Sequence, residues 1–224
     1  MIDHPPMQAD SWEGYRLVVA SLPRRERAVD VGSNTGGIAE RLGKDFEWVH
    51  CFEPLYSLMP KERLSYPPNT TIREIGLSDR EYRDWVSVRN AWTLVGKDSD
   101  VKSDDAIEFK GKSIAVEFSK LDSMLETANF IKLDVDGAEA KVLDGASGLL
   151  RKCRPPVMME LSNLAKLVGD EPIRAAEILF SLNYRCISMD GKFSVDRLGK
   201  LLSYWPHHTS YDVLFVPNEI TLAP

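Results

Sequence analysis

Apolar residues recur along this chain in two rhythms, and their alternation lays out the architecture. Short β-branched or apolar runs read as strands at 28–32, 48–53, 70–75, 130–135, 156–161, 185–189 and 211–216. Helical spacing separates them: Trp12, Tyr15, Val19 and Leu22, then Ile38, Ala39 and Leu42, then Ile173, Ala176, Leu179 and Phe180. Strands alternating with helices predict an α/β fold, a Rossmann-like, mostly parallel sheet with helices on both faces. The final strand, YDVLFVP, follows a loop without room for a clear crossover helix, so it is expected to run antiparallel.

Local signals refine the boundaries. Pro5 and Pro6 keep residues 1–9 out of a helix, and Asp10 or Ser11 is placed to cap the first one. Ser119 or Asp122 is placed to cap a short helix over 121–125, and Pro172 to open the helix after it. Residues 84–119 break the alternation. Trp85 to Val88 and Ser113 to Phe118 alternate like half-exposed strands around a polar stretch, Lys97 to Asp105. They are read as an antiparallel insertion and lid, with Asn90, Trp92 and Thr93 as substrate contacts. No repeat or linker divides the chain, so residues 1–224 are expected to form a single domain: a lead and helix to residue 27, then a core over 28–217.

The chemistry concentrates at strand ends. VDVGSNTGG, Val29 to Gly37, is a strand, a glycine-rich turn and a helix start, a pattern that holds the polar end of a nucleoside cofactor. Gly32 permits the sharp turn, and Gly36 or Gly37 the close packing of helix on strand. Asn34 stands where a dinucleotide loop carries its second glycine, and its side chain obstructs a pyrophosphate. S-adenosylmethionine has no pyrophosphate, and Asp30 is placed to read its ammonium group. CFEPL ends a second strand in Glu53, about 20 residues past the turn, where an acid bonds ribose hydroxyls. IGLSD brings Ser78 and Asp79 to another strand end, with Asp79 placed to accept from an adenine amino group.

FIKLDVDGAEAKVLDGA is a second anchor. A buried strand ends in Asp134 and Asp136, and Glu139 follows at the helix start. Three acids exceed what helix capping requires. They suit a general base, with His207 and His208 as alternative proton acceptors, or a divalent cation such as Mg²⁺ together with Glu160 and Asn163. Lys132 either compensates their charge or acts as a base itself.

Composition narrows the partners. The chain has 224 residues, 43% hydrophobic and 28% charged, enough for one sizeable core. A net charge of −6 argues against an extended nucleic-acid footprint. Cys51, Cys153 and Cys186 show no paired or zinc-type spacing, so reduced thiols in a cytoplasmic protein are expected. MIDHPPMQAD has neither a basic nor an apolar leader region, and no apolar run reaches membrane-spanning length.

Taken together, VDVGSNTGG, CFEPL, IGLSD, FIKLDVDGAEAKVLDGA, PVMMEL and YDVLFVP make the chain resemble the FkbM-type methyltransferases over roughly residues 28–217. IKLDVDGAEAKVLDGA is the most specific segment. Two departures are mild: Asp136 stands where Glu is usual in the family and Ser33 where Ala is usual. The resemblance implies a class I methyltransferase sheet of seven strands and S-adenosylmethionine-dependent transfer to a hydroxyl of a small molecule, such as a sugar or natural product. It implies that Asp30, Gly32, Asn34 and Gly36 cradle the methionine end, and Ser33 in the same turn is a further candidate for cofactor binding. Glu53 is then at the ribose, Ser78 or Asp79 near adenine, and Asp134 and Asp136 at the reaction centre. Two other readings share parts of the pattern: a nicotinamide-dependent oxidoreductase and a nucleoside-binding protein without catalysis. Oligomeric state is not legible.

Overall fold

The computed structural model describes residues 12–89, 92–95, 112–161, 173–204 and 211–223. Helix α1 (Glu13–Ala20) precedes strand β1 (Arg27–Val31), and α2 (Gly37–Asp45) leads into β2 (Trp48–Phe52). After β3 (Thr70–Arg73) and the short β4 (Gly76–Leu77) come β5 (Tyr82–Arg89), β6 (Trp92–Val95) and β7 (Lys112–Ser119). Next are α3 (Leu121–Met124), β8 (Phe130–Leu133), α4 (Glu139–Gly145), α5 (Ser147–Cys153) and β9 (Val157–Leu161). The last elements are α6 (Arg174–Ser181), β10 (Tyr184–Ser188), β11 (Ser194–Val195), α7 (Leu198–Tyr204) and β12 (Tyr211–Pro217).

The main sheet has the order β11-β10-β12-β9-β8-β1-β2-β3. β1, β2, β3, β8 and β9 pair in parallel. β12 runs antiparallel to both β9 and β10, as its loop predicted. All seven strands read from the pattern are present, and the two-residue β11 adds an eighth that is too short to leave a periodic signal. Alternation along the central strand sends Val29 and Val31 into a core built with α4, α5 and α6, and Ala28 into one built with α1 and α2. The strands are therefore covered on both faces, as parallel sheets require. Asp10 and Ser11 lie outside the described residues, and Trp12 occupies the position that starts α1. Lys120 takes the corresponding position before α3, so neither Ser119 nor Asp122 caps that helix; Asp122 instead accepts the Gly148 and Leu149 N–H groups that open α5.

A second sheet, β4-β7-β5-β6, accounts for the interruption after β3. β5 pairs antiparallel with β6 and β7, while β4 pairs parallel with β7. Its inner face packs Leu55, Val86, Val116 and Phe118, leaving Trp85 64% exposed on the other side. Asn90 and the stretch 97–105, read as a substrate contact and a lid loop, lie outside the described residues.

The chain proceeds from β1 to β2 and β3 on one side, then crosses to β8 on the other. The carboxyl ends of β1 and β8 thus form the switch point at which open α/β sheets bind ligands.

Candidate functional site

The turn after β1 is held from several sides. Gly32 has φ +71°, and a Cβ there would lie 1.8 Å from the carbonyl oxygen of Asp134. Only glycine fits both the left-handed backbone and the close approach. Asn34 also lies in the left-handed region, at φ 47°. Its backbone N–H donates to Glu53 Oε2 at 3.0 Å, and Leu55 N–H donates to Glu53 Oε1 at 3.0 Å. Burial pushes the Glu53 carboxyl above its ordinary value, against the pull of these two bonds. The Tyr66 hydroxyl donates to the Asn34 carbonyl and pairs with Ser33 Oγ at 2.9 Å. Gly36 starts α2 with its Cα under the Tyr66 ring, where a Cβ would come within 2.9 Å of a ring carbon.

Lys132 joins this turn to the second anchor. Its Nζ donates to the Gly32 carbonyl at 2.8 Å and lies 3.4 Å from both Asp30 and Asp134 carboxylates. Burial opposes the ammonium, but Asp30 and Asp134 outweigh it and hold its pKa above the ordinary lysine value. Lys132 is therefore a cation, so of its two expected roles only charge compensation fits. Asp30 is 0% exposed. Its carboxyl, raised by burial against the pull of Lys132, is sealed beneath the turn and faces no ligand space. Asp30, expected at the cofactor's ammonium group, is not among the residues that line the cavity.

The three acids of the second anchor separate. Asp134 is 41% exposed and Asp136 sits in the following turn at φ 52°; both line a cavity. Glu139 turns inward, where its Oε1 accepts the N–H groups of Val135 at 3.1 Å and Gly137 at 3.2 Å. Burial raises its carboxyl. It holds the turn that carries Asp136 and, although expected as a candidate base, is not among the residues that line the cavity.

The cavity has a volume of about 590 Å³, within the ~300–1,000 Å³ range of small-molecule sites. Gly32, Ser33, Asn34 and Glu53 line it, with Asp134 and Asp136 at the same space. Ser78 and Asp79 do not: the wall there is Ile75, Gly76 and Leu77, and Ser78 is buried under Gly145. Gly36 also stays outside, as support for the turn. Met59 and Phe118 complete an apolar side that the sequence did not announce. Phe118 reaches it because β7 pairs with β4, and its ring stacks on Tyr82 with centroids 4.7 Å apart.

Among the described residues, no group of three or more His, Cys, Asp or Glu side chains is placed to hold a metal ion. Asn163, His207 and His208 lie outside them. The divalent-cation variant thus has no support in this site. Among the described residues, no helix is long and apolar enough to cross a membrane.

A doubly wound sheet with a small-molecule-sized cavity at its switch point defines the class, and sequence comparison supplies the family. The model of the methyltransferase FkbM domain matches residues 30–186, and the chain belongs to that family. It is an S-adenosylmethionine-dependent methyltransferase of the class I fold, which replaces the oxidoreductase and non-catalytic readings. The chain is 29% identical over 181 residues to 2-O-methyltransferase NoeI of Sinorhizobium fredii (strain NBRC 101917 / NGR234), covering 72% of this chain and 74% of that protein. Solved structures with likeness include methyltransferase FkbM from Methylobacillus flagellatus KT, at 17% identity and TM-score 0.45, over 85% of this chain and 43% of that one. Another is precorrin-6y C5,15-methyltransferase from Geobacter metallireducens GS-15, at 12% identity and TM-score 0.43, over 96% of this chain and 93% of that one.

Proposed function

We propose that this protein transfers the methyl group of S-adenosylmethionine to a hydroxyl oxygen of a small molecule, a sugar or natural product. One observation carries the reading: Glu53 and the pair Asp134 and Asp136 line the same cavity, on either side of the Gly32 turn. Each Glu53 oxygen accepts one backbone N–H and keeps a lone pair for a ribose hydroxyl. Ile75, Leu77, Met59 and Phe118 offer an apolar wall for a flat base. The turn 32–35 offers polar groups for an amino-acid end. These residues fit S-adenosylmethionine, and when bound it supplies an electrophilic methyl group on a sulfonium. Asp134, with Asp136 beside it, takes the proton that the acceptor hydroxyl gives up as its oxygen is methylated. The match to an O-methyltransferase supports oxygen as the acceptor atom.

Calorimetric titration with S-adenosylhomocysteine and, separately, NAD tests the cofactor. Binding of the first alone is expected; binding of NAD alone would overturn the reading. A screen of mono- and oligosaccharides with methyl-labelled cofactor then tests the acceptor. On any acceptor found, Asp134→Asn is expected to lower kcat by about 10²–10⁴-fold.

A further inference from the structure

The Lys132 ammonium has three donors, and three oxygens from separate places meet it: the Gly32 carbonyl at 2.8 Å, and Asp30 Oδ1 and Asp134 Oδ2 each at 3.4 Å. Parallel pairing sets this up, since Asp30 and Lys132 are partners in adjacent β1 and β8. Lys132 is 4% exposed. A buried cation must be paired, and the sealed Asp30 already does that. The bond to Asp134 is therefore surplus to neutralisation, and Asp134 keeps an exposed side toward the cavity.

We propose that Lys132 is a positioning residue: one ammonium group holds the cofactor turn through Gly32 and orients the Asp134 carboxylate, so the two ends of the site keep a fixed relation. The functional part of this inference rests on Asp134 being the proton acceptor. The carboxylates that act on this pair come from four further elements. Asp30 lies on β1, Glu53 at the end of β2, Glu139 on α4 and Asp212 on β12. With Lys132 gone, Asp134 faces only like charge among these groups, and the Gly32 carbonyl loses its donor.

The test pairs two variants with two readouts. Lys132→Met combined with Asp30→Asn removes the buried charges together. Lys132→Arg keeps the charge but replaces a tetrahedral donor by a planar fork. Affinity for S-adenosylhomocysteine is read by calorimetry. The surroundings of the Asp134 carboxyl are read by the position of its carbon NMR signal at fixed pH, identified by its loss in Asp134→Asn. In the neutral double variant, affinity is expected to fall about tenfold, as for loss of one charge-assisted hydrogen bond behind the turn. The Asp134 signal is expected to move in that variant, because its ion-pair partner at 3.4 Å is gone. In Lys132→Arg the signal returns to its native position and the affinity does not recover. Should the double variant fail to fold, Lys132→Arg decides: full affinity there overturns the positioning role. In a folded double variant, no change in either readout, or a change in one alone, also overturns it. The carbon signal needs no cofactor, so absence of S-adenosylhomocysteine binding to the native protein would sink the functional reading and leave the Lys132–Asp134 arm to be judged separately.

Discussion

Glu53 Oε2 accepts the backbone N–H of Asn34 at 3.0 Å, so the carboxylate that ends β2 holds the turn that ends β1. The same side chain accepts Leu55 N–H and lines the cavity. Glu53→Ala therefore removes the proposed ribose acceptor and unties the turn at once. Its affinity for S-adenosylhomocysteine is expected to fall by about 100-fold or more, since hydrogen bonds to charged groups are worth ~1.5–3 kcal/mol each. Glu53→Gln keeps one good acceptor and is expected to fall between the two. Calorimetry on the three proteins checks the order.

Gly32 and Gly37 make a contrast within a single turn. An alanine at Gly32 meets both a φ of +71° and the Asp134 carbonyl at 1.8 Å. Gly32→Ala is expected to destabilise by more than the ~1–3 kcal/mol of a left-handed non-glycine residue alone. A Cβ at Gly37 meets nothing within 4 Å, and the residue opens α2. Gly37→Ala is expected to be neutral or to stabilise by about 0.4–1 kcal/mol. Urea denaturation midpoints separate the two.

Ser33 and Tyr66 share a proton inventory that fixes their bond. The phenol has one hydrogen, given to the Asn34 carbonyl, so Ser33 Oγ–H donates to the Tyr66 oxygen. Ser33→Ala, Tyr66→Phe and the double variant form a cycle. The expected coupling is about 1 kcal/mol in thermal or urea stability. Additive effects would show that the clip is incidental.

Glu139 gives the fold a pH dependence with a definite sign. Burial raises its carboxyl above the ordinary value of 4.5, so its contribution to stability is full below that value and is lost as pH rises through the folded one. Glu139→Gln keeps an oxygen for the Val135 and Gly137 N–H groups and never ionises. Its melting midpoint is expected to exceed the native one by about 2–4 °C near pH 8 and to match it near pH 4. An advantage that grows toward acid would reverse the assignment.

Much of this was legible before any coordinates. Strands buried on both faces must be nearly continuous apolar runs, so Val29 to Val31, Phe130 to Leu133 and Val157 to Leu161 declared themselves and their order as alternating elements. The turn was legible as well, because a left-handed Gly32 against a neighbouring strand admits no side chain. Glu53 was legible as an acid ending the strand after the turn, and it lines the same cavity as the turn. What only the tertiary structure decided is which strand-end acids line the cavity. Asp30 and Glu139 carry the same chemistry as Asp134 and Asp136, yet the first pair is sealed and the second is open. That choice depends on the register of β1 against β8 and on the path of the turn after β8, both set by packing between segments far apart in sequence. The Lys132 contact with Gly32 and the Phe118 wall arise in the same way: each needs two strands brought side by side, and no local periodicity encodes a neighbour across a sheet.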